Sequence, residues 1–314
     1  MNKAVSFANE NYILVTPAKN EEENLPKLIA SIFEQKLLPV AWFFVEDGST
    51  DHTPNIISDL CSKIPWIHSL TINNTDAYGS EEKYAFVCRE CFNYAFNYCK
   101  KNDINFGYVA LADADIILPS NYFYDLIEYL IDNQEYGIVS GERYIMNKNK
   151  YIYKESEVYE GITGPHGSGR LWRRSAFEET DGYIITGGPD AVSNLLAVLR
   201  GWKVKQLPSL VCYQIRDTGG KISLWNGYFS RGRRQYYLGR NPLGIFNDVI
   251  DIIFISKHKK CILKSISYIA GYANSFINKD TQIENEEIKS YFGSYAVILS
   301  NYKLYVKNKI YTRS

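Results

Sequence analysis

Over residues 12–140 short apolar runs alternate with amphipathic segments, and no other feature limits the fold of this chain so sharply. Residues 12–16 (YILVT), 42–45, 68–72, 108–111 and 137–140 are short and apolar and read as buried strands. Residues 21–35 place Leu25, Leu28, Ile29, Ile32 and Phe33 at the spacing of one helical face. Residues 53–64, 84–100 and 119–131 read as three further helices. Pro54 suits a first helical turn, with Asp51 or Thr53 as the cap. Strict alternation with short connections predicts an α/β fold, a mostly parallel, Rossmann-like sheet with helices on both faces. A length of 314 residues suits one large α/β domain with additions, or two modest domains.

Ligands of such a sheet bind at the carboxyl ends of its strands, and the polar clusters fall there. Lys19-Asn20-Glu21 follows the first strand, Glu46-Asp47-Gly48-Ser49 the second and Asp113-Ala114-Asp115 the fourth. Three clusters on one edge point to an active-site cleft. Asp113 and Asp115 stand two apart at an extended strand end and so point the same way. Hard oxygen ligands of this kind suit Mg²⁺ or Mn²⁺, ions that commonly bridge to a diphosphate. The competing expectation is a solvated turn in which an Asp caps a helix. Gly48 permits a tight turn, and Ser49, Thr50 and Asp51 can cap the next helix. Glu46 and Asp47 have no such local explanation, and a carboxylate there can accept from the N–H of a pyrimidine base.

The runs Val15-Thr16-Pro17-Ala18-Lys19-Asn20-Glu21-Glu22, Val45-Glu46-Asp47-Gly48-Ser49-Thr50-Asp51 and Leu111-Ala112-Asp113-Ala114-Asp115 resemble, in order and spacing, those of the family 2 glycosyltransferases. That family has the GT-A fold, and the resemblance covers residues 12–140. It implies that Pro17, Glu21 and Asp47 line a nucleotide pocket, that Asp113 sits near the ribose, and that Asp115 binds the metal (Mn²⁺ or Mg²⁺) that neutralises a sugar-nucleotide diphosphate. Further along, Gly167-Ser168-Gly169-Arg170-Leu171-Trp172-Arg173-Arg174 with Gly182 is similar to the family's acceptor-side segment. Gly188-Pro189-Asp190 falls where the family has a Glu-Asp pair, whose Asp is the usual base for the acceptor hydroxyl. Pro189 replaces the Glu, and Asp190 is the expected catalytic base, against the plain alternative of a helix N-cap. Many relatives carry a His near the end of the next strand as a further metal ligand. Gln214, a poorer ligand, stands near that place, and His166 is the alternative.

The activity so implied is inverting transfer of a sugar from a nucleotide-diphosphate donor, a UDP-sugar by family habit, to a hydroxyl acceptor. The pathway implied is polysaccharide, glycolipid or glycoprotein glycan assembly. Two rivals remain in view. A sugar-nucleotide nucleotidyltransferase would want a Gly-rich, basic phosphate loop after the first strand, which Pro17-Ala18-Lys19-Asn20-Glu21 is not. A non-catalytic nucleotide-sugar-binding protein with a decayed cleft is opposed by the retained Asp47, Asp113, Asp115 and Asp190.

The expected organisation is a catalytic domain over residues 1–220, with a nucleotide-binding half at 12–140 and an acceptor half at 141–220, then a basic, mainly helical region at 221–314. The formal charge of zero hides a segregation. Residues 200–314 carry 19 Lys and Arg against 7 Asp and Glu, a net +12, and residues 1–199 carry the balancing −12. Arg231, Arg233 and Arg234 match phosphate oxygens in geometry and could clamp a pyrophosphate or lipid phosphate. The QxxRW form of processive polysaccharide synthases is lacking. No nucleic-acid motif accompanies the basic run, and the acidic first part would repel a polyanion, so nucleic acid is not an expected partner.

Residues 243–277 hold Ile245, Phe246, Val249, Ile250, Ile252, Ile253 and Phe254, then Lys257, Lys259, Lys260 and Lys264, then Ile266, Ile269 and Phe276. This stretch is too charged to span a bilayer and suits a helix lying in the interface. The alternative is packing on the catalytic domain. With the interfacial helix go a lipid-linked acceptor, an anionic membrane surface and a cytoplasmic location, peripheral at the inner face of the membrane. Residues 1–10 have no apolar signal core, and six cysteines (61, 88, 91, 99, 212 and 261) show no disulfide framework. Cys88 and Cys91 have the spacing of half a zinc site, but no second pair follows, and a place in a helix core is the preferred expectation.

Overall fold

The computed structural model describes residues 10–72, 80–146, 152–154, 164–215, 223–250, 252–253 and 260–294. The chain divides into two compact units, Met1–Asp217 and Thr218–Ser314. In the first unit β1 (Tyr12–Ala18), β2 (Ala41–Glu46), β3 (Ile67–Thr71) and β4 (Tyr108–Leu111) form a parallel sheet in the order β3-β2-β1-β4. The connections carry α1 (Leu25–Phe33), α2 (Thr53–Lys63) and α3 (Ser80–Lys101), and α4 (Tyr122–Asp132) follows β4.

β1 and β2 are apolar at nearly every position because both faces of the sheet are covered. Tyr12, Leu14, Trp42 and Phe44 pack on one face with Leu25, Leu28 and Ile32 of α1 and Phe123 and Leu126 of α4. Ile13, Val15, Phe43 and Val45 pack on the other with Cys88, Cys91, Phe92 and Cys99 of α3. Each such side chain, fully buried, contributes about 1.5–3 kcal/mol. Cys88 and Cys91 are thus core residues, as the sequence favours. Burial pushes both thiols up, and Cys91 Sγ lies 3.6 Å from the Phe43 carbonyl oxygen. The described cysteines are all free thiols.

The rest of the sheet is mixed. β5 (Ile116–Ile117), β6 (Tyr136–Met146), β7 (Ile152–Lys154), β8 (Arg170–Arg173) and β9 (Lys203–Gln214) complete nine strands among the described residues. β8 lies antiparallel between β4 and β6, β9 runs parallel to β6, and β5 pairs antiparallel with β9. α5 (Arg174–Glu179) and α6 (Pro189–Leu199) separate β8 from β9 in sequence.

Chain order reverses between β1 and β4, since β2 and β3 lie on one side of β1 and β4 on the other. Open α/β sheets bind ligands in the crevice at such a switch point. Pro17 marks its mouth. The polar groups of Tyr12 and Ala18 face β2, accepting from Val40 and Asp47, whereas Val15 faces β4 and accepts from Ala112. Alternation therefore turns Pro17 toward the β4 side, where the pairing has already ended at Val15 and Leu111. A residue without an N–H loses no ladder bond there.

The second unit is helical: α7 (Leu224–Tyr237), α8 (Pro242–Ile250), α9 (Cys261–Asn278) and α10 (Glu286–Gly293). α7 and α9 meet through two glycines. A Cβ on Gly271 would lie 2.0 Å from the Phe229 carbonyl oxygen, and one on Gly232 2.0 Å from that of Tyr268. Alanine in a helix interior ordinarily gains about 1 kcal/mol over glycine. Here the backbone contact reverses the sign. Gly271→Ala is expected to destabilise this unit by ~1–3 kcal/mol, the scale of core overpacking, seen as a lower denaturant midpoint. A raised midpoint would show that the two helices lie further apart.

Candidate active site

The loops after β1 and β2 are stitched to one another. Asn20 N–H donates to Ser49 Oγ (3.0 Å), Glu21 N–H to Thr53 Oγ1 (2.8 Å) and Glu22 N–H to Asp51 Oδ2 (3.1 Å). In return Thr50 N–H donates to Asn20 Oδ1 (2.8 Å) and His52 N–H to Glu22 Oε2 (2.9 Å). Asp51 Oδ1 also accepts from Thr53 N–H at the start of α2 (2.9 Å), so Asp51 serves the helix end, while Thr53 is used across the loops. α1 begins at Leu25, later than its pattern suggests, because Glu21 anchors a turn. The Glu21 carbonyl accepts from Asn24 and Leu25, and Glu21 Oε2 accepts from Asn24 Nδ2 (2.8 Å). Glu46 has a local explanation after all. Its Oε1 accepts from Ser49 N–H and closes the turn in which Gly48 takes a φ of +66°. Asp47 is buried, and its Oδ2 lies 3.2 Å from Lys19 Nζ and 3.6 Å from Lys83 Nζ.

Past β4 the two acids of the third cluster are held by different elements. Asp113 Oδ1 accepts from Tyr84 Oη of α3 (2.6 Å), and Asp113 N–H donates to Ser168 Oγ (3.0 Å). Asp115 is buried. Its Oδ2 accepts from Gln214 Nε2 at the end of β9 (3.1 Å), and its carbonyl accepts from Ile215 N–H (2.8 Å). Burial, and after it the neighbouring charge of Asp115, pushes the Asp113 carboxyl up to about 6. The charge of Asp190 acts in the same direction, against the Tyr84 hydrogen bond and Arg143. Asp190 therefore belongs to the same electrostatic neighbourhood as Asp113, although 77 positions separate them in sequence.

Asp190 lies in the first turn of α6, whose N-cap is Gly188 in a left-handed conformation, with no side-chain cap bond. It is not the N-cap. Its side chain, 41% exposed, has Oδ1 3.3 Å from Tyr183 Oη, which donates, and 3.9 Å from Arg170 Nη1. Arg170 is fully buried, and its Nη2 donates to the carbonyls of Pro165 and Asp190 (the latter 3.2 Å) and to Asn194 Oδ1 (2.7 Å). Burial, then the adjacent carboxylates, pushes the Tyr84 and Tyr183 phenols well up, so both remain hydrogen-bond donors. Gly167 makes room for this carboxylate: a Cβ there would lie 2.5 Å from Asp190 Oδ2.

The first unit thus gathers Asp113, Asp115 and Asp190 with Tyr84, Ser168, Arg170, Tyr183 and Gln214. Ser168 and Arg170 fall in the run similar to the family's acceptor-side segment, whereas Tyr84 and Tyr183 escape sequence reading. Tyr84 and Tyr183 look like core aromatics. Among the described residues no three His, Cys, Asp or Glu side chains form a metal cage, and His166 is buried, with its backbone N–H donating to Ser140 Oγ (3.2 Å). Two hard carboxylates, one of them pushed up by burial and then by the other's charge, nonetheless fit a divalent cation whose remaining ligands would be diphosphate oxygens and water. Arg231, Arg233 and Arg234 belong to the second unit. Arg231 lies over the Tyr228 ring (5.1 Å), and Arg233 pairs with Asp280 (3.3 Å). Arg216 and residues 147–151 and 155–163 of the acceptor half lie outside the described residues, as do Phe254, Lys257 and Lys259.

Comparison with known proteins gives a consistent result. The family described as glycosyl transferase family 2 matches residues 13–189. The 4,4'-diaponeurosporenoate glycosyltransferase of Staphylococcus aureus (strain USA300) is 26% identical over 164 residues, which are 51% of this chain and 37% of that protein. The chain thus spans little more than a third of that relative. Among solved structures, the mannosyltransferase PcManGT from Pyrobaculum calidifontis, in complex with GDP-Man and Mn²⁺, superimposes with a TM-score of 0.52 at 15% identity, covering 95% of this chain and 82% of that one. S. aureus TarS 1–349 in complex with UDP-GlcNAc gives 0.50 at 11% identity, covering 89% and 78%. At these identities the likeness is one of fold.

Proposed function

The chain belongs to glycosyl transferase family 2 and has the GT-A fold, and from that premise we propose that it is an inverting glycosyltransferase moving one sugar from a nucleotide-diphosphate donor to a hydroxyl acceptor. The observation that supports the reading is that the Asp190 carboxylate lies against Gly167, next in the chain to Ser168, whose Oγ accepts from the Asp113 N–H past the end of β4.

Asp190 is the catalytic base. Its carboxylate takes the proton of the acceptor hydroxyl as that oxygen bonds to the anomeric carbon. The bond from that carbon to the diphosphate oxygen breaks on the opposite face, and its electron pair leaves with the nucleoside diphosphate. Tyr183 and Arg170 hold the Asp190 carboxylate in position. Asp115, with Asp113 beside it and Gln214 orienting it, would hold Mn²⁺ or Mg²⁺. Such an ion, when bound, supplies positive charge against the departing diphosphate. Pro17, Glu21 and Asp47 line the nucleotide pocket and Asp113 lies toward the ribose. Asp47, fixed between Lys19 and Lys83, is placed to accept from the N–H of a base. UDP-sugars are the favoured donors. The neighbours carry GDP-Man and UDP-GlcNAc, so guanine donors belong in the test.

The acceptor is proposed to be lipid-linked, in polysaccharide, glycolipid or glycoprotein glycan assembly, and reached from the cytoplasmic face of an anionic membrane. One of Arg231, Arg233 and Arg234 would contact phosphate. No helix among the described residues is long and apolar enough to cross a membrane. The stereochemical claim is tested by nuclear magnetic resonance of the product. The new linkage should have the anomeric configuration opposite to the donor's, and retention would overturn the role given to Asp190. Gly167→Ala should push Asp190 out of line and lower turnover roughly 10²-fold, the cost of an ångström-scale misplacement, with donor affinity unchanged. Full turnover in that variant would show that Asp190 is free to sit elsewhere during the reaction.

A further inference from the structure

α9 leaves an apolar face exposed. Besides Tyr268 and Tyr272, which pack with Ile245 of α8, the residues it buries are small or polar: Lys264, Ser265, Ser267, Gly271 and Ser275. Those it exposes are Ile262 (67%), Leu263, Ile266 (52%), Ile269 (45%), Phe276 (56%) and Ile277 (76%). At Gly271 the inner face is small because the backbone of α7 lies against it, and Ser267 Oγ donates to the Trp225 carbonyl. Positions 262, 266, 269, 276 and 277 recur near the helical repeat and share one side. Single exposed apolar residues are ordinary, but a run of them along one helix marks an interaction surface.

Charge decides between its possible occupants. Residues 261–278 contain no Asp or Glu, and the exposed residues Lys260 and Lys279 bracket the helix. The unit from 218 to 314 holds 15 Lys and Arg against 6 Asp and Glu, a net +9. Two copies meeting through this face would bring like charges together, whereas an anionic surface attracts it. Lys264 is not part of that attraction. It is buried, with Nζ 5.4 Å from the Tyr228 ring centre, so the headgroup contacts fall to the exposed lysines.

We propose that the exposed face of α9 lies in the interface of an anionic lipid bilayer without crossing it. Ile262, Ile266, Ile269, Phe276 and Ile277 enter the acyl boundary, and Lys260 and Lys279 meet lipid phosphates at either end. This rests on the membrane-peripheral reading above and gives it a surface. It also requires that membrane binding be separable from sugar transfer, because no residue of the face belongs to the acid edge of the first unit.

The test is co-sedimentation of the full chain with phosphatidylcholine vesicles and with vesicles that also contain phosphatidylglycerol, at low and high salt. Three proteins are compared: the wild type, the double variant Ile266→Asp with Ile269→Asp, and the double variant Lys260→Gln with Lys279→Gln. The wild type should bind the anionic vesicles. The aspartate pair should bind at least ~10-fold less tightly, since charges are costly in the hydrocarbon. The glutamine pair should lose binding at lower salt than the wild type. Nucleoside diphosphate release with a water-soluble acceptor should be the same in all three. No binding by the wild type, or equal binding by the aspartate pair, would overturn the proposal. So would a vesicle-free wild-type dimer that the aspartate pair splits into monomers. A wild type that turns over but binds no vesicles refutes only this surface. Absent turnover with vesicle binding intact refutes only the proposed reaction.

Discussion

Asp190→Asn is expected to lower turnover by roughly 10²–10⁴-fold, the usual worth of a general base, while donor affinity stays nearly unchanged. Asparagine keeps the shape of the side chain and can still accept from Tyr183 Oη, which donates to Asp190 Oδ1 at 3.3 Å. It cannot take a proton from a hydroxyl. Loss of the charge touches Arg170, whose Nη1 lies 3.9 Å from Asp190 Oδ1. Arg170 is also anchored through Nη2 to two carbonyls and to Asn194, so the fold should survive. A thermal melt separates the cases. A folded variant that binds donor and does not turn over supports Asp190 as the base. A variant that loses donor binding or unfolds would make Asp190 a structural residue and place the base elsewhere.

Asp115→Asn is expected to reduce transfer by on the order of 10²–10³-fold, the scale of one lost electrostatic partner of a developing charge. Donor binding should weaken only when Mn²⁺ or Mg²⁺ is present. The amide can still accept from Gln214 Nε2, as the carboxylate does at 3.1 Å, so the strand end keeps its geometry and the change is one of charge. Titration of donor with and without the divalent ion reads the difference. Equal turnover by wild type and variant in saturating Mn²⁺ would sink the assignment of Asp115 to the metal.

The parallel half of the sheet was legible because β1 and β2 are buried on both sides, which leaves uninterrupted apolar runs. The acid edge was legible because Asp113 and Asp115 are the first polar groups after one such run. The strand β8 was not. Its sequence Arg-Leu-Trp-Arg has no apolar run to mark a strand, and Arg170 is accommodated in the interior by carbonyls 5 and 20 positions away in sequence that turn toward it. Tyr84 and Tyr183 carry no local mark of their partners, since nothing near them in sequence announces Asp113 or Asp190. Glu46 misled for the opposite reason: its partner, the Ser49 N–H, is local, but the bond depends on the left-handed turn at Gly48. In α9 the apolar pattern is plain, yet periodicity says only which residues share a face. That this face is the outer one is set by the approach of α7 to Gly271.

The most direct measurement is to incubate the protein with a panel of UDP- and GDP-sugars, Mn²⁺ and a hydroxyl acceptor, and to monitor the nucleotide product. Wild type, Asp115→Asn and Asp190→Asn are run side by side. The expected result is release of a nucleoside diphosphate from one donor class, with sugar appearing on the acceptor or in water. Both variants should lack that release, and only Asp190→Asn should still bind the donor as the wild type does. Release of pyrophosphate from a nucleoside triphosphate and a sugar phosphate would contradict the account, and so would binding of nucleotide sugars by a wild type that never turns them over.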